Sequence, residues 1–110
     1  MLLALFAGIH VSDLDVATEW YSRLLGAEPS FFPNDVEAVW ELADSRSIYV
    51  KQDPQRAGQS LLTLFVDDLD ERVAGITARG IEPSTREHYD NGVRKITYVD
   101  PDGNEIGFGG

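Results

Sequence analysis

The chain repeats itself. VSDLD at 11–15 returns as VDDLD at 66–70, and GAEPS at 26–30 returns as GIEPS at 80–84, in the same order and at almost the same spacing. V-x-D-L-D is in itself a good helix start, so one recurrence could be chance. Two recurring junctions, the first entering a helix and the second leaving one, point instead to a duplicated unit. Whatever one half folds into, the other half must fold into as well.

The unit reads β-α-β-β-β. Residues 2–10 are mostly apolar and end at Ser12, which fits a buried strand. Ser12 is the expected N-cap of the first helix, with Asp13 and Asp15 facing the helix dipole. Leu14, Ala17, Tyr21 and Leu24 recur at helical spacing, Trp20 and Leu25 widen the stripe, and Gly26 is the stop. Phe31–Phe32 predicts a short strand, and 36–43 and 46–52 predict two more around a tight turn at Asp44–Ser45. DPQRAGQ at 53–59 is the one linker-like segment. The order then recurs: a strand at 60–66, a helix carrying Leu69, Val73 and Ile76 on one face and stopped by Gly80, then strands at 81–86, 93–99 and 104–108. Module one is expected at about 1–52 and module two at about 60–108, in a single domain spanning 1–110. The expected fold class is α+β: two tandem βαβββ modules whose sheets form a U-shaped, partly open mixed barrel around a central cleft.

Composition narrows the function. The chain has 110 residues, no cysteine and a formal net charge of −10. Disulfides and thiolate chemistry are excluded. Nucleic acid and anionic lipid surfaces are poor partners for such an acidic protein. No apolar run approaches the length of a membrane span, and the apolar start MLLALFAGIHV, without a basic leader, reads as a strand, so a cytoplasmic location is expected. DPDGNE at 100–105 and its surroundings lack the spacing of a calcium loop, and no glycine cluster resembles a phosphate loop.

The ordered set V-x-D-L…W-Y-x(3)-L-G at 11–26, V-x-D-L at 66–69 and Y-V-D-P-D-G-N at 98–104 resembles the vicinal oxygen chelate superfamily, which includes glyoxalases, dioxygenases, epimerases and bleomycin-resistance proteins. The resemblance covers essentially the whole chain. It implies a divalent metal in the cleft of the enzymes, held by residues at set places on the first, fourth, fifth and eighth strands. Those places fall here on Phe6, Tyr49 or its neighbours, Leu61 and Gly107, with Glu105 two residues early. Such side chains are not ligands for a hard or borderline cation, so no metal and no other cofactor is expected. His10 and His88 lack acidic company.

The resemblance also implies which side chains line the cleft, through the family's strand register. The candidate ligand-binding residues are Phe6, His10, Glu41, Tyr49, Lys51, Leu61, Thr63, Phe65, Lys95 and Thr97, an apolar and aromatic floor with a few polar groups. Lys51 and Lys95 are the chain's only lysines. They suit anion or carbonyl recognition, or simply reach solvent from strand ends. Trp20 and Tyr21 are expected in the core. Trp40 is expected in the core or as a stacking platform. The reading that follows is a metal-free protein of the glyoxalase/bleomycin-resistance type that binds a small molecule and pairs as a homodimer. The alternatives are a glyoxalase-, dioxygenase- or epimerase-like lyase or oxidoreductase, and a non-catalytic regulatory or interaction module.

Overall fold

Both halves fold as β-α-β-β-β in this computed structural model, which describes residues 1–110. Module one runs β1 (Leu5–Val11), α1 (Leu14–Leu25), β2 (Phe31–Asn34), β3 (Glu37–Ala43) and β4 (Arg46–Gln52). Module two runs β5 (Leu61–Phe65), α2 (Leu69–Ala78), β6 (Thr85–His88), β7 (Arg94–Val99) and β8 (Glu105–Gly109). Each makes a four-stranded mixed sheet, in the orders β1-β4-β3-β2 and β5-β8-β7-β6. The crossover through each helix makes β1 parallel to β4 and β5 parallel to β8, while the hairpins are antiparallel. The two sheets are separate, so the β-structure is open and not a closed barrel.

One face of each sheet meets its helix. Ile9, Val11, Trp40, Ile48 and Val50 from sheet one, and Ile96, Tyr98, Ile106 and Phe108 from sheet two, join Leu14, Trp20, Tyr21, Leu24, Leu69 and Ile76 of the helices in a single 18-residue core. Burying each large aliphatic side chain contributes about 1.5–3 kcal/mol. A shared core across both modules makes them one cooperative body. Trp20 and Tyr21 pack edge to face, with ring centroids 4.8 Å apart.

The helix ends show where local sequence decides. Asp13 caps α1, its carboxylate accepting from the Val16 N–H at 3.1 Å. The cap expected at Ser12 is displaced by one residue. Ser12 instead gives its backbone N–H to the Asp102 carboxylate at 2.9 Å, a bond to the other module that holds it outside the helix. Gly26 ends α1 with φ 74°, a left-handed conformation that suits glycine.

The strand expected at 81–86 starts later and extends to His88. Ile81 is still tied to α2, donating to the Ile76 carbonyl, and is buried. Pro83 has no N–H to donate. Pairing begins only where Ser84 donates to the Thr97 carbonyl, and it runs on to His88 opposite Arg94. Segment 53–59 folds into turns, with Asp53 donating to the Val11 carbonyl.

Candidate functional site

Strand alternation puts all ten candidate residues on the sheet faces turned away from the helices. On sheet one they lie in cross-strand rows. Phe6, Ser47 and Glu41 form one row; Gly8, Tyr49 and Val39 the next; His10, Lys51 and Glu37 the third. Sheet two repeats the pattern, with Leu61 beside Glu105, Thr63 beside Gly107 and Thr97, and Phe65 beside Gly109, Lys95 and Glu87. Each lysine therefore has a carboxylate in the directly opposite position on the neighbouring strand.

Glycines set the relief of these faces. Tyr49 lies flat across Gly8, so that a Cβ there would come 2.7 Å from the Tyr49 Cζ. The Lys95 stem crosses Gly107 in the same way, with Cε 2.7 Å from where a Cβ would sit and the Thr63 hydroxyl beside it. The Phe65 ring covers Gly109. A side chain on these glycines would lift the residue above. Ser47 and Thr97 are buried beneath this layer, while Phe6, Leu61 and Phe65 keep 54%, 69% and 71% of their surface open.

The donors expected of a metal site do not fit. Phe6, Leu61 and Gly107 offer no side-chain ligand, and Tyr49 offers one phenol. No group of three or more His, Asp or Glu side chains converges anywhere in the chain. His88 stands away from His10, on β6 opposite Arg94.

Two features lay beyond the sequence reading. The first is a polar junction between the modules. Asp100, only 4% exposed, accepts from the Tyr21 hydroxyl at 2.7 Å, from the Asn104 side chain at 2.8 Å and from the backbone N–H groups of Asp102 and Asn104. Fully buried Asn104 also donates to the His10 carbonyl at 2.9 Å and accepts from the Ser60 N–H. Burial, and then the Asp100 charge, push the Tyr21 phenol far above the ordinary tyrosine range. The signal was in Y-V-D-P-D-G-N, where Asp100 and Asn104 flank the turn. The second is a cavity of about 970 Å³ between the modules. Glu41, Thr63 and Phe65 border it; the other seven candidates do not.

Comparison with known proteins agrees with the architecture. The family model described as "Glyoxalase/Bleomycin resistance protein/Dioxygenase superfamily" matches residues 4–108. A crystal structure of a glyoxalase / bleomycin resistance protein from Catenulispora acidiphila DSM 44928 superposes with a TM-score of 0.95 at 51% identity, over 98% of this chain and 97% of that one. A bleomycin-binding protein complexed with bleomycin superposes at 0.77 with 22% identity, covering 96% of this chain and 95% of its own. A lactoylglutathione lyase from Agrobacterium tumefaciens does so at 0.77 with 18% identity, over 96% and 90%. No curated sequence matches. With the family model covering nearly the whole chain and a solved relative at half identity, the chain belongs to the glyoxalase/bleomycin resistance protein/dioxygenase superfamily.

Proposed function

We propose that this protein binds a small molecule without a metal, on the helix-free faces of its sheets. The ligand is a flat apolar or aromatic body carrying hydrogen-bond acceptors. Phe6, Tyr49, Leu61 and Phe65 supply the apolar contact, and His10, Lys51 and Lys95 reach its acceptors. The carrying observation is the open state of Phe6, Leu61 and Phe65 on faces whose glycines keep the floor low. Apolar walls with a few convergent polar groups are the usual make-up of a ligand site. The bleomycin complex of a protein with this fold supports binding as a use of the architecture.

A second copy of the chain completes the cleft. β1 and β5 each end a sheet with an unpaired edge, and such edges invite pairing. Two chains joined there would face one helix-free sheet with another and enclose the exposed phenylalanines. The lyase reading finds no support in the side chains at the expected ligand places, Phe6, Leu61 and Gly107.

The test is titration calorimetry of the purified protein with bleomycin and smaller aromatic compounds, with and without a chelator, alongside light scattering for mass. Binding that survives the chelator, falls at least tenfold in Phe6→Ser and Leu61→Ser, and belongs to a species of twice the chain mass is the expected result. Tight stoichiometric metal, or binding abolished by the chelator, overturns the metal-free reading. Failure of every compound to bind overturns the ligand reading.

A further inference from the structure

The cavity between the modules exists because the repeat is imperfect. Where α1 carries Trp20–Tyr21, the aligned stretch of α2 is Ala74-Gly75-Ile76. Where module two has the long turn Asp100–Asn104 between its last two strands, module one has only Asp44–Ser45 between β3 and β4. At one junction Tyr21, Asp100 and Asn104 fill the space between the end of β1 and the β7–β8 turn. The related place, between the end of β5 and the β3–β4 turn, has neither the aromatic nor the long turn. The cavity lies there, bordered by Ala43 and Arg46 on one side and by Phe65, Val66 and Asp67 on the other.

Its walls and rim have different chemistry. Ala7, Leu62 and Leu64 form apolar walls, with Trp40, Ile48 and Phe108 buried behind them. Glu28, Glu41 and Asp67 stand among the lining, against Arg46 and Arg72. Arg72 is already engaged, paired with Asp68 at 3.2 Å and set over the Phe108 ring at 5.7 Å from its centroid. The surplus is negative, in a chain of net charge −10. A volume of about 970 Å³ lies at the upper end of ordinary ligand sites.

We infer that this inter-module cavity, which meets the helix-free faces only at its Glu41, Ser47, Thr63 and Phe65 border, is a second ligand site for an amphipathic organic cation. The apolar body lies against Leu5, Ala7, Leu62 and Leu64, the apolar lining that keeps open surface. The cationic group meets Glu28, Glu41 and Asp67. The site does not depend on the helix-free faces being occupied.

Fluorescence anisotropy of rhodamine 6G, a planar apolar cation, tests this at 0.3 M salt, where loose surface attraction is screened. One dye per chain is expected to bind. Affinity should fall at least tenfold in Leu64→Trp and in Ala7→Phe, which fill the cavity from opposite modules. It should fall several-fold in Glu28→Gln/Asp67→Asn, and stay unchanged in Leu61→Ser on the helix-free face. Thermal melts confirm that each variant is folded, and the two filling variants guard against failure of either. Dye affinity lost in Leu61→Ser but kept in Leu64→Trp places the dye on the helix-free face, which overturns this inference and leaves the proposed function standing. No saturable binding to the wild type overturns the inference. An anionic dye such as anilinonaphthalene sulfonate whose binding is lost in Leu64→Trp overturns the charge assignment. Dye affinity that falls as the protein self-associates assigns the cavity to a second copy of the chain, and also overturns the inference.

Discussion

The Tyr21 hydroxyl donates a 2.7 Å hydrogen bond to the Asp100 carboxylate across 79 residues of chain. It joins the helix of module one to the β7–β8 turn of module two. Both ends are buried, Tyr21 at 0% and Asp100 at 4% exposure, so neither can exchange the bond for water. The ionised acceptor strengthens it.

Removing that hydroxyl is therefore expected to destabilise the whole domain and not one module. Tyr21→Phe leaves Asp100 with its bonds from Asn104 and Asp102 but without its only phenol. A hydrogen bond to a charged group contributes about 1.5–3 kcal/mol. For a domain of this size that corresponds to a fall in Tm of roughly 4 °C per kcal/mol. Calorimetry on wild type and variant measures it. A single transition should persist, because the core is shared.

The same tyrosine makes stability fall at alkaline pH. Its folded-state pKa is raised, by burial first and by Asp100 second. Below the unfolded value of 10.0 both states hold the proton, and the contribution is fully present. Above it the unfolded chain loses a proton that the folded chain keeps. Unfolding is then favoured by about 1.4 kcal/mol per pH unit for this group. Tyr98, also pushed up by burial, acts in the same direction. Urea denaturation between pH 9 and 11 should show the decline, and Tyr21→Phe should show a shallower one. Equal slopes would mean that Tyr21 titrates normally in the fold.

Asn104 should matter more than its size suggests. Its amide serves the His10 carbonyl, the Ser60 N–H and Asp100 at once. Asn104→Ala strands two backbone groups and removes one donor from a buried carboxylate. The expected cost is about 2–4 kcal/mol, since each buried polar group left unpaired costs roughly 1–3 kcal/mol. Hydrogen exchange localises the effect: the Ser60 amide should lose protection by a larger factor than the Ile48 amide in β4. Asn104→Asp should not rescue it, because a second carboxylate would then face Asp100.

The architecture was legible because both of its periodicities are clean. Leu14, Ala17, Tyr21 and Leu24 mark a helix face, and all four are buried. Ile48 and Val50 alternate with Ser47, Tyr49 and Lys51, and the first pair enters the core. The repeat then doubled the information. What stayed hidden depends on approach between distant segments. Ser12 looked like the better cap until Asp102 claimed its N–H from 90 residues away. The late start of β6 follows from Ile81 remaining bound to α2, a contact that strand propensity does not register. The ten candidate residues follow from the family's strand register, which gives a face and says nothing of depth. Much of the cavity lining lies on the other side of the sheets, where an apolar pattern reads as filled core. Its traces in the sequence are Gly75, standing in the second copy near the place of Trp20–Tyr21 in the first, and the short turn at Asp44–Ser45 where the second copy has Asp100–Asn104.

Gly8 tests whether the relief of the helix-free face matters for binding. It sits in the middle of β1, directly opposite Tyr49, whose ring lies over it. A methyl group there overlaps the outer end of that ring, and the tyrosine must swing up from the sheet. The displaced atoms belong to the tip of a half-exposed side chain, so stability should change by less than about 1.5 kcal/mol. Ligand affinity on this face should change much more, because the raised ring occupies the space between Phe6 and His10. Gly8→Ala with near-normal Tm and at least a fivefold loss of affinity is the expected pair of results. Gly8→Ala/Tyr49→Leu removes the overlap, and should recover part of the lost affinity if the ring's displacement is the cause. Unchanged affinity in Gly8→Ala would place the ligand away from β1.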